Sequence, residues 1–340
     1  MVKLTSMVKT SGCAAKLPAE DLHKVIDCLE VGHSENLIEG FESADDALVY
    51  DLGDGRVMIQ TLDFFPPMVD NPHTFGEIAA ANALSDVYAM GGKPEVAMNL
   101  MCFPACLELD VMREILEGGL DKTREAGCVV AGGHTISDPT PKYGLSVTGF
   151  ARKDSFWSNR GAQVGDYVVL TKKIGVGVIN TAAKGGVASE ESIADAIESM
   201  TTLNRRAMET GIKFRVHAAT DVTGFSLLGH ASEVADGSGV TIEIDSSSVP
   251  LIEGALENAR LGLIPEGAYY NRDFLEGRVE IDDGISRELQ DLMYDPQTSG
   301  GLLLFMSRQE AEEYVREFGN PASIIGRVID RKDGIGIVLR

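Results

Sequence analysis

No run of about 18 consecutive apolar residues occurs in this 340-residue chain, so no segment reads as a membrane-crossing helix. The first residues lack the basic-then-apolar pattern of a secretory leader, which makes the cytoplasm the expected location. Basic residues are few, 30 Lys and Arg against 52 Asp and Glu, for a formal net charge of -22. A surface of that sign repels nucleic-acid phosphates and argues against such a partner. The five cysteines (Cys13, Cys28, Cys102, Cys106, Cys128) are odd in number and lack zinc-ribbon or disulfide-framework spacing. Cys102 and Cys106, around Pro104 in "MCFPACLEL", read as small buried apolar residues. Two phosphate-binding signatures are missing as well. There is no G-x-x-x-x-G-K-[ST] loop, and "GVGVIN" (175–180) fails the dinucleotide fingerprint because Asn180 stands where the last glycine should.

What is present is 44% hydrophobic and 24% charged, the composition of a globular protein with a sizeable core, at a length that favours two domains. "ALVYDLGDGRVMIQTLDFF" (47–65) reads as a hairpin about a Gly-Asp-Gly turn. "NPHTFGEIAAANALSDVYAMGG" (71–92) reads as a helix, with Thr74 as N-cap and Gly91-Gly92 as its stop. A strand (94–103), a helix (109–127) and two strands (128–136, 143–153) follow. Near 155–165 the chain turns polar and the pattern restarts in "QVGDYVVLTK". The expected division is therefore a flexible N-terminal arm (1–20), an N-terminal α+β domain (21–157) and a C-terminal α+β domain (158–340). The second half reads as strand 167–172, helices within 175–211, strand 214–220, helix 223–236, strand 240–245 and helix 251–261. It closes with helix 285–293, strand 301–306, helix 308–318 and strands 323–330 and 334–339. The early hairpin argues for two α+β domains over a doubly wound parallel sheet.

Aspartates at element ends carry the strongest chemical signal. Asp45 and Asp46 adjoin just before "ALVYDL", Asp63 ends the apolar strand "IQTLDFF", and Asp221 ends "HAATD" before the turn "DVTGF". Asp86 lies near the C-terminus of an Ala-rich helix, where the macrodipole disfavours negative charge. Singly, each serves as well as a cap or a solvated acid. Together they suit hard divalent cations bound through oxygen, Mg²⁺ rather than zinc, since His and Cys are scarce nearby. Such ions would let carboxylates approach a polyphosphate without strong repulsion. "AGGHT" (131–135) could set backbone N–H groups against a phosphate, though its plainer reading is a tight turn. "DPQTSGG" (295–301) reads as a turn, and His134 and His230 read as structural residues. In the arm, "SGCAAKLP" places Cys13 and Lys16 three residues apart; a nearby cation favours a thiolate, and Lys16 could equally grip a phosphate. Spacing alone leaves chance as the simpler account of that pair.

Gly-Cys-x-x-Lys in "SGCAAKLP", "ADDALVYDLGDGRVMIQTLDFF", "DNPHTFGEIAAANALSDVYAMGGKP", "AGGHTI", "TDVTGFSLLGH" and "DPQTSGGLL" resemble, in order, the selenophosphate synthetase (selenide, water dikinase) family. The Asp-Asp-Ala hairpin is shared with the wider aminoimidazole ribonucleotide synthetase-like superfamily, including thiamine-monophosphate kinase, the alternative reading. The Cys/Lys arm singles out the selenium branch. The resemblance implies an α+β, two-domain aminoimidazole ribonucleotide synthetase-like fold whose first domain forms a shared β-barrel in a homodimer. It implies a phosphotransferase with paired acceptors: ATP, selenide and water give selenophosphate, AMP and orthophosphate, for selenocysteine and selenouridine synthesis. Free selenide or a delivery protein would supply selenium. Several Mg²⁺ ions would accompany ATP, with K⁺ as a monovalent cation. By the same resemblance Cys13 and Lys16 are catalytic, and Asp46, Asp86 and Asp221 hold Mg²⁺. Lys16, Ser43, Ala44, Asp45, Asp63 and Asp86 contact the nucleotide, as do Gly133, His134 and Thr135 from the other subunit. Some members carry a second cysteine where this chain has Ala15, leaving one thiol here.

Overall fold

The computed structural model describes residues 3–15, 25, 32, 34–40 and 45–340. Lys16, Ser43, Ala44 and Cys28 lie outside the described residues. In the first domain β1 (Leu37–Glu39), β2 (Leu48–Asp51), β3 (Arg56–Phe65), β4 (Lys93–Phe103), β5 (Val129–Ser137) and β6 (Lys142–Arg152) form one sheet. Its order is β1-β2-β3-β6-β4-β5, antiparallel except for β4 with β5. Helices α1 (Pro72–Ala89) and α2 (Leu109–Ala126) belong to the same domain and pack closely on one another.

Alternation along β3 decides what faces inward. Val57, Ile59, Thr61, Asp63 and Phe65 are buried, while Leu62 and Phe64 point out. Two polar side chains therefore sit on a core face. Helix α1 is buried almost all round, which its run of alanines permits. Asn71, not Thr74, caps it: the Asn71 side chain accepts from the Thr74 N–H and Pro72 occupies the first turn, where a missing N–H costs nothing. Gly91, at φ +67°, stops it as expected. The close approach of α1 and α2 needs glycine, because a Cβ on Gly76 would lie 1.9 Å from the Ile115 carbonyl oxygen and one on Gly118 2.0 Å from that of His73. Gly118→Ala should therefore lower stability by about 1–3 kcal/mol in a urea titration. An unchanged midpoint would show that the helices separate freely.

The second domain comprises β7 (Tyr167–Leu170), α3 (Val176–Lys184), α4 (Glu190–Thr201), α5 (Arg205–Gly211), β8 (Ala218–Asp221), α6 (Ser226–Ser238) and β9 (Thr241–Ile244), then α7 (Ala255–Arg260), α8 (Glu266–Phe274), β10 (Val279–Ile281), α9 (Arg287–Met293), β11 (Leu302–Met306), α10 (Arg308–Phe318), β12 (Ser323–Ile329) and β13 (Ile337–Leu339). The strands order as β10-β13-β9-β12-β7-β11-β8, with β11 buried throughout. Sequence patterning missed α8 and the three-residue β10. It also began β8 and α6 early, because 222–225 is a turn rather than helix.

Two further expectations change. Cys102 is half-buried and Cys106 exposed, since strand alternation and the turn after β4 face them outward. "AGGHT" is not a turn but part of edge strand β5, with a pairing irregularity opposite Ala97–Asn99 and Gly132 at φ +137°. Finally, the first sheet's outer face is apolar and exposed, through Leu48, Leu62 (54% exposed), Phe64, Val96, Met98 (52%) and Val129.

Candidate active site

The C-terminal half of α1 presents Asn82, Ser85 and Asp86, spaced i, i+3, i+4 and hence on one face. Other elements converge on that face. From β3, Thr61 Oγ1 donates to Asp86 Oδ2 and Asp63 Oδ2 accepts from Asn82 Nδ2 at 2.5 Å. From β8, Asp221 Oδ2 accepts from Ser85 Oγ at 2.5 Å, and Thr220 Oγ1 donates to Asp46 Oδ1 at 2.9 Å. Asn204, just before α5, donates from Nδ2 to Ser85 Oγ and to the Gly300 carbonyl, both at 2.8 Å. The two domains thus meet along one helix face.

The carboxylates are crowded enough to resist ionisation. Burial, then repulsion from Asp221, Asp45 and Asp86, pushes Asp46 well above the usual carboxylate range. Burial pushes Asp45 up to about 7, although the Asp46 and Asn159 backbone N–H groups favour its charged form. Asp46 Oδ2 is shielded from solvent and has no hydrogen-bond partner among the described residues. Across the site, Lys172 Nζ donates to the Thr202 carbonyl at 2.6 Å and the Ser299 carbonyl at 2.8 Å. Burial brings this ammonium down to about 7 against the attraction of Asp221.

An all-oxygen set with surplus negative charge and a buried, unpartnered carboxylate oxygen fits a hard cation. Among the described residues no group of three His, Cys, Asp or Glu forms a closed metal cluster.

The described arm, residues 3–15, is packed down rather than loose. Thr5 donates from N and Oγ1 to Asp70 Oδ1, Lys184 Nζ donates to the Val8 and Lys9 carbonyls, and Gly12 N–H donates to the Pro66 carbonyl. Cys13 is 1% exposed. Its N–H donates to Thr298 Oγ1 at 3.2 Å, its thiol to Asn82 Oδ1 at 3.3 Å, and its backbone lies against Gly224. Asn82 Oδ1 also accepts from the Ser299 N–H at 2.7 Å. Asn82 is therefore a junction between the thiol, Asp63 and the 295–301 loop. A cavity of about 410 Å³ borders the arm, lined by Thr10, Ser11, Asn180, Lys184 and Thr298 among others.

"DPQTSGG" is a loop, as read, but it lines the site. Ser299 adopts φ +50°, unusual without glycine and held by Lys172 and Asn82. Its Asp295 Oδ2 accepts the Gly177 N–H, and Gln297 Oε1 accepts those of Gly175 and Val176, so the loop also caps α3. Burial pushes Asp295 up to about 8. Between pH 4 and 8 the folded chain therefore holds a proton that the unfolded chain has released, and this group's contribution to stability falls as pH rises through that window. Asp295→Asn should flatten the stability–pH curve between pH 5 and 8, measured by urea midpoints; an unchanged slope would contradict the shift.

Asp45, Asp46, Asp63, Asp86, Asp221 and Cys13 come together. Gly133, His134 and Thr135 do not join them within one chain. Asp63, Leu145, Asn99 and Gly133 form one row across the sheet, so Gly133 stands three strands, roughly 14 Å, from Asp63. Thr61, Asn82, Ser85, Lys172, Thr220, Asn204 and Ser299 were missed. For Asn82 and Ser85 a signal existed: polar residues one turn ahead of Asp86 and directly before it in an alanine-rich helix. For Lys172, Asn204 and Ser299, whose roles come from distant contacts, none did.

Residues 44–151 match the AIR synthase related protein N-terminal domain, and 163–338 its C-terminal domain. The chain is 54% identical to the selenide, water dikinase of Clostridium botulinum (strain Eklund 17B / Type B) over 335 residues, 98% of this chain and 97% of that one. It is 51% identical to the selenide, water dikinase of Clostridioides difficile (strain 630), over 97% and 96%. The crystal structure of thiamine monophosphate kinase from Aquifex aeolicus superposes with a TM-score of 0.65, covering 96% of each chain at 18% identity, a likeness of fold alone.

Proposed function

The chain belongs to the selenide, water dikinase family, and on that premise we propose how its residues carry the reaction of that family. It is a phosphotransferase using ATP and selenide, with selenophosphate, AMP and orthophosphate as products. The thiamine-monophosphate kinase alternative rests on fold alone. The geometric observation that carries the reading is the Asn82 junction, which ties the Cys13 thiol directly to the carboxylate set.

Asp46, Asp86 and Asp221 would hold Mg²⁺, with Asp63 and Asp45 beside them toward the nucleotide. Bound there, Mg²⁺ offsets polyphosphate charge and polarises the phosphoryl oxygens. Thr61, Ser85 and Thr220 orient these carboxylates by donating to one oxygen of each. Cys13 holds or orients reduced selenium for transfer of the γ-phosphoryl, and Lys16 adds a cation at the transferring group. With Ala15 two residues on, Cys13 acts as a single thiol. Because Cys13 is buried, selenium reaches it with the described arm lifted, and the 410 Å³ cavity beside Thr298 marks the side of entry. Reclosure over ATP would exclude water from the first transfer. The resemblance adds K⁺, with no residue assigned.

The apolar outer face of the first sheet supports a homodimer in which two such faces build a shared barrel, bringing Gly133, His134 and Thr135 of edge strand β5 toward the other subunit's nucleotide. Met98→Glu should convert the dimer to monomer in size-exclusion chromatography with light scattering. A dimer of unchanged mass would place the interface elsewhere. No described helix is long and apolar enough to cross a membrane, in keeping with a cytoplasmic enzyme.

Anaerobic incubation with ATP, Mg²⁺ and selenide tests the whole reading. AMP, orthophosphate and a selenium-bound phosphate by ³¹P NMR support it; ADP as the sole nucleotide product sinks it.

A further inference from the structure

The turn joining β8 to α6 carries a buried array that the transfer to selenium does not use. Thr223 Oγ1 lies 3.1 Å from His230 Nε2, and His230 Nδ1 lies 3.0 Å from Glu233 Oε2. Chemistry settles the direction of these bonds. The Glu233 carboxylate accepts, so Nδ1 carries the hydrogen, and in the neutral imidazole Nε2 is then the acceptor to which the Thr223 hydroxyl donates. This is a hydroxyl–imidazole–carboxylate order, with the lone pairs of the Thr223 oxygen left to accept from a further donor. Thr223 and His230 are 5% and 6% exposed, while the Glu233 side chain is 31% exposed, so the array leads from interior to solvent.

Its inner end is at the site. Thr223 stands between Asp221, which bonds Ser85, and Gly224, against which Cys13 packs. The turn is held in a strained form: buried Ser226 has φ +70°, its N–H bonded to the Thr223 carbonyl, and Asn271 Nδ2 donates to the Gly224 carbonyl at 3.0 Å. Phe225 further fixes the imidazole, with ring centroids 5.7 Å apart. Strain kept by several independent contacts at a site edge points to function rather than packing.

Resting on the dikinase reading, we propose that Thr223, His230 and Glu233 accept the proton of the water that hydrolyses ADP in the second half of the reaction. The water oxygen bonds to the β-phosphorus while the bond to the α,β-bridging oxygen breaks, releasing AMP. The water proton passes to Thr223 Oγ1 as the Thr223 proton moves to His230 Nε2. The resulting imidazolium is stabilised by Glu233 and returns its proton to solvent there. Transfer of the γ-phosphoryl to a selenide anion needs no such base, so the two halves should part company when the array is broken.

The test follows ADP, AMP and selenophosphate through a quenched anaerobic time course with ATP, Mg²⁺ and selenide. In His230→Gln, AMP formation should fall about 100-fold while ADP accumulates. Thr223→Val should do the same, and Thr223→Ser should restore AMP formation. Glu233→Gln, at the half-exposed end, keeps the test available if a core variant does not fold, and should also accumulate ADP. AMP and ADP falling in step, or an unchanged ratio, overturns the relay and leaves the array structural. Wild-type protein yielding ADP alone instead overturns the dikinase reading, and the relay with it.

Discussion

Asp46→Asn is expected to abolish ATP turnover, by about 100-fold or more, while raising the melting temperature of the ligand-free protein. Both halves follow from one feature. Burial, and then repulsion from the neighbouring Asp221, Asp45 and Asp86, opposes the charge on Asp46. One of its oxygens is satisfied by Thr220 and the other is buried without a partner among the described residues. Neutralising it relieves the repulsion, by about 1 kcal/mol or roughly 2–4 °C, and preserves the Thr220 bond. Adding ATP and Mg²⁺ should then reverse the order. Ligand at a hundred times its dissociation constant stabilises the wild type by about 2.7 kcal/mol, more than the variant gains from losing its charge. Thermal scans with and without ATP–Mg²⁺ read this crossing directly. A lower ligand-free melting temperature, or retained turnover, would remove Asp46 from the cation set.

Asn82→Ala should cost both stability and activity. It leaves the buried Ser299 N–H without its Asn82 acceptor, removes the Nδ2 donor to Asp63, and removes the Oδ1 that accepts from the Cys13 thiol. An unsatisfied buried donor and a lost charge-assisted bond together cost about 2–4 kcal/mol. Turnover should fall about 100-fold, because Cys13 and the carboxylates lose their common reference point. Peptide-level mass spectrometry of iodoacetamide labelling should show faster modification at Cys13, judged against exposed Cys106 as internal standard. Labelling and turnover both within twofold of wild type would show that Asn82 does not join the two halves of the site.

These two residues mark different depths of legibility. Asp46 could be picked out beforehand: an acidic pair at a strand end, with a cluster of acids elsewhere and almost no His or Cys, restricts the chemistry to hard cations wherever the chain folds. Asn82 carried a weaker trace, one polar residue a turn ahead of Asp86 in an alanine-rich helix. Helical period puts them on one face, but says nothing of what they meet.

Alternation, capping and glycine placement likewise foretold most strands, both helices of the first domain and the division into two α+β domains. These signals are local, each set by neighbours within a few residues, and they survive being read as a string. Thr74 failed as a cap because Asn71, three residues earlier, caps the helix with Pro72 in its first turn. "AGGHT" failed as a turn because pairing with β4, some 30 residues earlier in the chain, drew it into a strand.

By itself, then, the sequence determined the fold class and pointed to an oxygen-rich acidic site, and its resemblance to the selenide, water dikinase family singled out Cys13 and Lys16, because composition, periodicity and motif order depend on nothing distant. Only the tertiary structure decided that Cys13 is buried on Gly224 and tied to Asp63 through Asn82, that "DPQTSGG" lines the site under strain at Ser299, and that His230 links Thr223 to Glu233. Most of these join residues tens to hundreds of positions apart, and even the His230 array gains its meaning from the distant groups beside Thr223. Such juxtapositions are created when two domains close on one helix face, and no local signal encodes them.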